Sequence, residues 1–169
     1  MNSKKVLILN HTQIQQKINR IAYQILEDNF DESEIIVAGV VERGYRLALR
    51  IVDVLSKISN IKITIVKIEL DKDSTKLDSA IDVPIASCQN KVIILVDDVL
   101  NSGKTLTYGL GVFLNIPLKK LRSVVLIDRS HKNFPVAPDF VGLELSTVLK
   151  EHVTVVIGEK DKDDAVYLN

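Results

Sequence analysis

The chain has 169 residues, 46% of them hydrophobic and 26% charged, which suits a single globular domain spanning residues 1–169. Lysine plus arginine and aspartate plus glutamate balance at 22 each, which excludes a broad non-specific nucleic-acid surface while allowing a local basic patch. The single cysteine, Cys88, excludes an internal disulfide and a cysteine metal cage, and no apolar run reaches the roughly 18 residues of a membrane span. With no signal-peptide h-region at the N-terminus, the expected setting is the cytoplasm, with no membrane partner. No histidine neighbours Cys88 in sequence, so it reads as a structural residue rather than a nucleophile.

Taken in order, Val6–Leu9 reads as a short strand, and His11–Asn29 as a helix with Ile14, Ile18, Ile21, Ala22 and Ile25 on one face. Asn10 and Thr12 are its candidate caps. An acidic turn, Asp31–Glu34, leads into a buried strand over Ile35–Val41. Glu42-Arg43-Gly44 breaks that run, and Tyr45–Ser56 is amphipathic, with Leu47, Ala48, Ile51, Val52 and Leu55 inward. Ile61–Leu70 alternates as a strand whose far end is polar, and Asp71–Asn90 is polar with few anchors, an expected mobile excursion. Val92–Val96 is a continuous apolar run, all but one residue β-branched, as in a strand buried on both faces. A helix follows from about Thr105 to Leu114, then a strand over Leu121–Ile127 and a loop shaped by Pro135 and Pro138. Phe140–Leu143, Val153–Ile157 and Ala165–Leu168 complete the strands. Strands alternating with helices predict an α/β fold, a mainly parallel sheet of about five strands with right-handed crossovers and flanking helices.

The chemistry concentrates in Val92–Leu106. Two carboxylates, Asp97 and Asp98, follow the apolar run, and a small polar turn, Asn101-Ser102-Gly103-Lys104-Thr105, leads into the helix. That arrangement belongs at the carboxyl edge of a parallel sheet, where α/β proteins bind ligands. A helix start offers free N–H groups and a positive dipole end, which suit a phosphate. Gly103-Lys104-Thr105 matches the tail of a nucleotide-triphosphate P-loop, but Asp98 stands where that pattern needs glycine, so the P-loop is excluded. A flavodoxin-like domain would carry its phosphate loop early in the chain, and here the loop follows a late strand. Two carboxylates gripping a sugar diol beside a one-phosphate loop describe a ribose 5-phosphate site. Glu42-Arg43-Gly44, also between a strand and a helix, should open on the same edge and offers N–H groups and a guanidinium to one anion.

An apolar strand, two acids, three intervening residues, Ser-Gly and, one residue further on, Thr resemble the signature of type I phosphoribosyltransferases. The resemblance implies the fold of that family, with a flexible hood over about residues 70–90 that closes on the reacting centre and excludes water. It assigns Asp97 and Asp98 as catalytic, Asn101, Ser102, Gly103, Lys104 and Thr105 to the ribose 5-phosphate, and Glu42, Arg43 and Gly44, with the Glu42–Arg43 peptide, to the pyrophosphate. Asp128, at the end of VVLID, and Ser146, Thr147 and Val148 would wall the base, with magnesium held by Asp97 and Asp128 through water. His131 is the histidine nearest this site and reads as a solvated loop residue before a catalytic one.

One branch resembles the chain nearly end to end, the bifunctional pyrimidine-operon attenuator and uracil phosphoribosyltransferase. The residues are Arg20-Ile21-Ala22, Arg43-Gly44-Tyr45 with Leu47-Ala48, Val96–Leu100, Asp128-Arg129 with His131, Pro138–Gly142, and Asp163-Asp164 before Ala165-Val166-Tyr167. The branch implies that phosphoribosyl pyrophosphate and uracil give UMP and pyrophosphate, in a dimer or larger homo-oligomer. Two departures stand out. The hood's Tyr-Arg-Asp-Asp run appears as Leu70-Asp71-Lys72-Asp73, without its arginine. The first helix, the branch's RNA face, offers Lys17 and Arg20 but has Tyr23 in place of histidine, followed by Glu27 and Asp28. RNA affinity rests on neutralised phosphates, so RNA is the weaker partner expectation. The rival functions are an RNA-binding regulator sensing UMP and a purine transferase acting on hypoxanthine or guanine.

Overall fold

A computed structural model of the chain describes residues 5–71, 79–148, 150–158 and 164–169. The strands, in chain order, are β1 (Val6–Leu9), β2 (Glu34–Val40), β3 (Lys62–Leu70), β4 (Ser79–Ile81), β5 (Val92–Leu100), β6 (Lys120–Asp128), β7 (Phe140–Glu144), β8 (Val153–Val156) and β9 (Ala165–Leu168). The helices are α1 (His11–Asp28), α2 (Arg43–Ile58) and α3 (Lys104–Gly111). The main sheet has the order β4-β3-β2-β5-β6-β7. Its pairs are parallel except β3–β4, which is antiparallel. It therefore has six strands rather than about five, because β4 forms inside the stretch expected to be a mobile excursion. Within that stretch Ile85–Cys88 is a 3₁₀ turn, and residues 72–78, including Lys72 and Asp73, lie outside the described residues.

Both faces of the sheet are covered, which is why β5 reads as an unbroken apolar run. Val92, Ile94 and Val96 pack with Ile14, Ile18 and Ile21 of α1 and Leu47 and Ile51 of α2. Ile93 and Leu95 pack on the other face with Leu106 of α3, Phe113 and Cys88. Burial raises the Cys88 thiol pKa, as a structural cysteine requires. A second sheet, β1-β9-β8, is antiparallel and joins the two ends of the described chain. Its Leu9, Val155 and Val166 enter the core on the α1–α2 face.

Element ends differ from expectation for local reasons. Asn10 is the cap of α1: its side chain accepts from the Gln13 N–H at 2.9 Å, and Gln13 Oε1 accepts from the Asn10 N–H at 3.0 Å. α3 stops at Gly111 rather than Leu114; Gly109 and Gly111 weaken it, and Phe113 and Leu114 bond back three residues, to Leu110 and Gly111, in tighter turns. β5 runs on to Leu100, so Asp97 and Asp98 belong to the strand instead of following it. The pairing explains this. The β2–β5 register ends at Gly39 opposite Val96, while the β5–β6 register continues to Leu100 opposite Asp128. Beyond Val96, β5 has lost its β2 neighbour and kept β6, and a crevice opens where the two acids stand. No helix among the described residues is long and apolar enough to cross a membrane.

Candidate active site

β2 delivers the chain to the start of α2 through Val41 and Glu42. Among the described residues the one cis peptide bond is Val41–Glu42, one bond before the Glu42–Arg43 peptide named from the resemblance. Glu42 precedes the helix without a side-chain cap bond, so the first turn presents N–H groups and has no acidic residue. Gly44 lets that turn lie on β5: a Cβ there would stand 2.7 Å from the Val96 carbonyl oxygen and 2.9 Å from Asp97 Cα. The sequence marks Gly44 as a turn residue, and the structure adds close approach to β5. Arg43 Nη1 lies 3.8 Å from Asp98 Oδ2, with the arginine side chain 57% exposed. The Glu42–Gly44 turn and the acidic pair therefore meet, although Arg43 and Asp98 are 55 residues apart in sequence. Glu42 also borders a separate hollow of about 300 Å³ with Tyr45, Arg46, Lys67 and Glu69.

The acids and the turn after them line a cleft of about 240 Å³. Its walls are Asp97–Gly103, Thr105 and Leu106. Asp97 is 7% exposed, and its Oδ1 accepts the Asp98 N–H at 2.9 Å. Gly103 has φ +85°, the left-handed region, and precedes α3 without a side-chain cap. The helix start thus faces the cleft; its Lys104 N–H donates to Ser102 Oγ at 3.3 Å, and the Thr105 and Leu106 N–H groups that follow belong to a first turn without intrahelical acceptors, an arrangement suited to phosphate. Lys104 departs from expectation: its side chain does not line the cleft, and its ammonium lies 5.6 Å from the Tyr108 ring centroid. The loop shaped by Pro135 and Pro138, given no role in the sequence, closes over this turn. The Asn133 and Phe134 N–H groups donate to the Ser102 carbonyl at 2.7 and 3.1 Å, and Val136 lies against Gly103.

The base-wall candidates gather at the end of β6. Asp128 is buried; it accepts the Ser130 N–H at 2.8 Å and lies 3.4 Å from Lys132 Nζ. Thr147 turns its hydroxyl inward, to Arg129 Nε at 3.0 Å and His131 Nε2 at 3.1 Å. His131 Nε2 also donates to the Thr147 carbonyl at 2.6 Å, so this histidine anchors the loop and is not the solvated residue expected. Ser146 and Val148 on either side remain exposed. Arg129, buried beneath them, had no role in the sequence reading; an arginine after a strand-end aspartate carries no local signal of burial.

Asp97, Asp98 and Asp128 are hard oxygen donors on adjacent strand ends. Among the described residues no three His, Cys, Asp or Glu groups form a metal cage. Hard carboxylate donors of this kind are of the type magnesium takes, one or two at a time, together with substrate phosphates. On α1, the RNA face of the resembling branch, Arg20 Nη2 donates to the Val141 and Gly142 carbonyls at 3.0 and 2.6 Å, so its charge is directed at β7.

Residues 7–163 match the model of the phosphoribosyl transferase domain. Relatives called bifunctional protein PyrR are 33% identical in Clostridium kluyveri, covering 96% of each chain. That of Staphylococcus epidermidis is 34% identical, covering 96% of this chain and 97% of the other. Among solved structures, a hypoxanthine-guanine phosphoribosyltransferase from Bacillus anthracis is 25% identical with a TM-score of 0.73, covering 83% of this chain and 82% of the other. A hypoxanthine phosphoribosyl transferase of Trypanosoma cruzi shares the fold at TM-score 0.80, with 15% identity over 97% of this chain and 91% of the other.

Proposed function

The chain belongs to the phosphoribosyl transferase domain family, and from that premise we propose that it transfers the 5-phosphoribosyl group of phosphoribosyl pyrophosphate to uracil, giving UMP and pyrophosphate. It is a phosphoribosyltransferase. One observation carries the fuller reading: the ends of β2, β5 and β6 lie side by side in that order. Their three loops offer an anion turn, a pair of carboxylates with a phosphate cradle, and a walled edge.

In this reading Arg43, Gly44 and the Glu42 peptide hold the pyrophosphate at the start of α2. Asn101–Thr105 and the first N–H groups of α3 hold the 5-phosphate; Lys104 contributes its backbone N–H. Asp97 and Asp98 accept the ribose hydroxyls and favour the positive charge that develops at C1 as its bond to pyrophosphate breaks. The electron pair of that bond leaves with the pyrophosphate. Uracil, against Asp128 and Ser146–Val148, forms the new bond from a ring nitrogen, and that nitrogen's proton goes to the departing pyrophosphate. Magnesium, with Asp97 and Asp128 as its water-mediated holders, supplies neutralising charge for the leaving pyrophosphate when bound. The hood near residues 70–90 excludes water from the cation. The assembly is a dimer or larger, to be measured by light scattering.

The test is a product assay with phosphoribosyl pyrophosphate and magnesium across uracil, hypoxanthine and guanine. Turnover on uracil supports the reading; turnover on the purines alone replaces it. A second reading, an RNA-binding regulator, is favoured by the bifunctional relatives and opposed by the engagement of Arg20 with β7. It requires RNA binding that weakens steeply with salt.

A further inference from the structure

Arg129 is 4% exposed, and among the described residues the oxygens its guanidinium bonds are neutral. Nε and Nη2 donate to Thr147 Oγ1 at 3.0 and 2.9 Å. Nη1 donates to Asn101 Oδ1 at 3.2 Å, and Nη2 to the Glu151 and Val148 carbonyls at 2.6 and 3.4 Å. Its backbone N–H donates to the Leu100 carbonyl at 3.0 Å. Burying a cation is costly, and neutral acceptors return less of that cost than a carboxylate does. What the guanidinium accomplishes is geometric. Its planar fork reaches the first residue of the phosphate turn on one side and the loop after β7 on the other, 46 residues later (147 − 101). Thr147 is fixed further by its two contacts with His131.

We propose that Arg129 is a positioning residue that makes the 5-phosphate turn and the base wall one rigid unit, so that a change at either is felt at the other. The proposal rests on the reading of Asn101–Thr105 as the phosphate turn and Ser146–Val148 as the base wall. It also commits the buried charge to that end of the cleft, where it favours an anion. Lysine cannot replace it, since a single ammonium cannot span both loops with the same fork.

The experiment is calorimetric titration of the full chain with two probes, ribose 5-phosphate and UMP. The first reaches the phosphate turn and the acidic pair but not the base wall, and the second reaches the base wall as well. Thr147→Val is expected to weaken ribose 5-phosphate roughly three- to tenfold from the far side of the arginine, the effect of losing one or two hydrogen bonds. Thr147→Ser, which keeps the hydroxyl, restores it. In an Arg129→Met background, Thr147→Val should add nothing further, the mark of a shared interaction. If Arg129→Met does not fold, the Val and Ser pair at position 147 decides alone. Ribose 5-phosphate affinity unmoved by Thr147→Val, or additive losses in the double variant, overturns the inference while leaving the enzyme reading intact. Wild-type protein that takes up neither probe overturns the site reading and this inference with it.

Discussion

Gly44 and Asp97 show how closely two loops are fitted. A methyl group at Gly44 would meet the β5 backbone at 2.7 and 2.9 Å, atoms that cannot turn aside as a flexible side chain does. Gly44→Ala is therefore expected to lower stability by about 1–3 kcal/mol, read from the urea midpoint, and to depress activity of the folded fraction by displacing Asp97. The acids themselves are tested by an Asp97→Asn/Asp98→Asn double variant. Turnover should fall about a hundredfold or more while the melting temperature holds within a few degrees, because the change removes charge and keeps shape. Unchanged turnover removes both from the mechanism. At this scale the sequence was legible wherever residue type and spacing carry the chemistry, as in Asp97-Asp98 and Ser102-Gly103. It was silent on Arg129, and it misdirected Lys104 and His131, because a side chain's direction depends on neighbours far away in the chain.

Among the elements, α1 is tied to the start of β6 by a small ion-pair cluster. Arg122 Nε donates to Asp28 Oδ2 at 3.0 Å, and Lys120 Nζ lies 3.1 Å from the same oxygen. The Arg122 hydrogen bond is the main cause holding the Asp28 carboxyl below its usual pKa, against desolvation. A depressed carboxylate stabilises the fold above its unfolded pKa of about 3.9, and this is lost as pH falls through the folded value. The stability difference between wild type and Asp28→Asn should be full at neutral pH and shrink below about pH 4. The pair is partly exposed at the surface, so the difference should stay within about 1 kcal/mol. Urea titrations at several pH values measure it. The helices and the central strands were readable from periodicity. Their ends were not: β5 outruns its apolar stretch because β6 continues to pair with it, and α3 falls short because two glycines lie in its final turns.

The whole molecule is closed by β1, β8 and β9, strands the sequence marks but whose pairing no periodicity announces, since the partners come from opposite ends of the sequence. Asp164 secures this closure. Its buried carboxylate accepts from His11 Nδ1 and from Arg50 Nη2, each at 3.0 Å, and from the Gly158 N–H at 3.0 Å. Asp164→Ala leaves those donors facing a void and should cost about 3 kcal/mol in denaturant titration. The strand order of the main sheet has a stereochemical consequence as well. In the proposed reading the departing diphosphate lies over β2 and the incoming ring over β6, so the pentose between them is attacked opposite the bond it loses. Its anomeric carbon must turn over, so an α-configured donor yields a β-nucleotide, an outcome that the proton coupling of the product's sugar resonance reports directly.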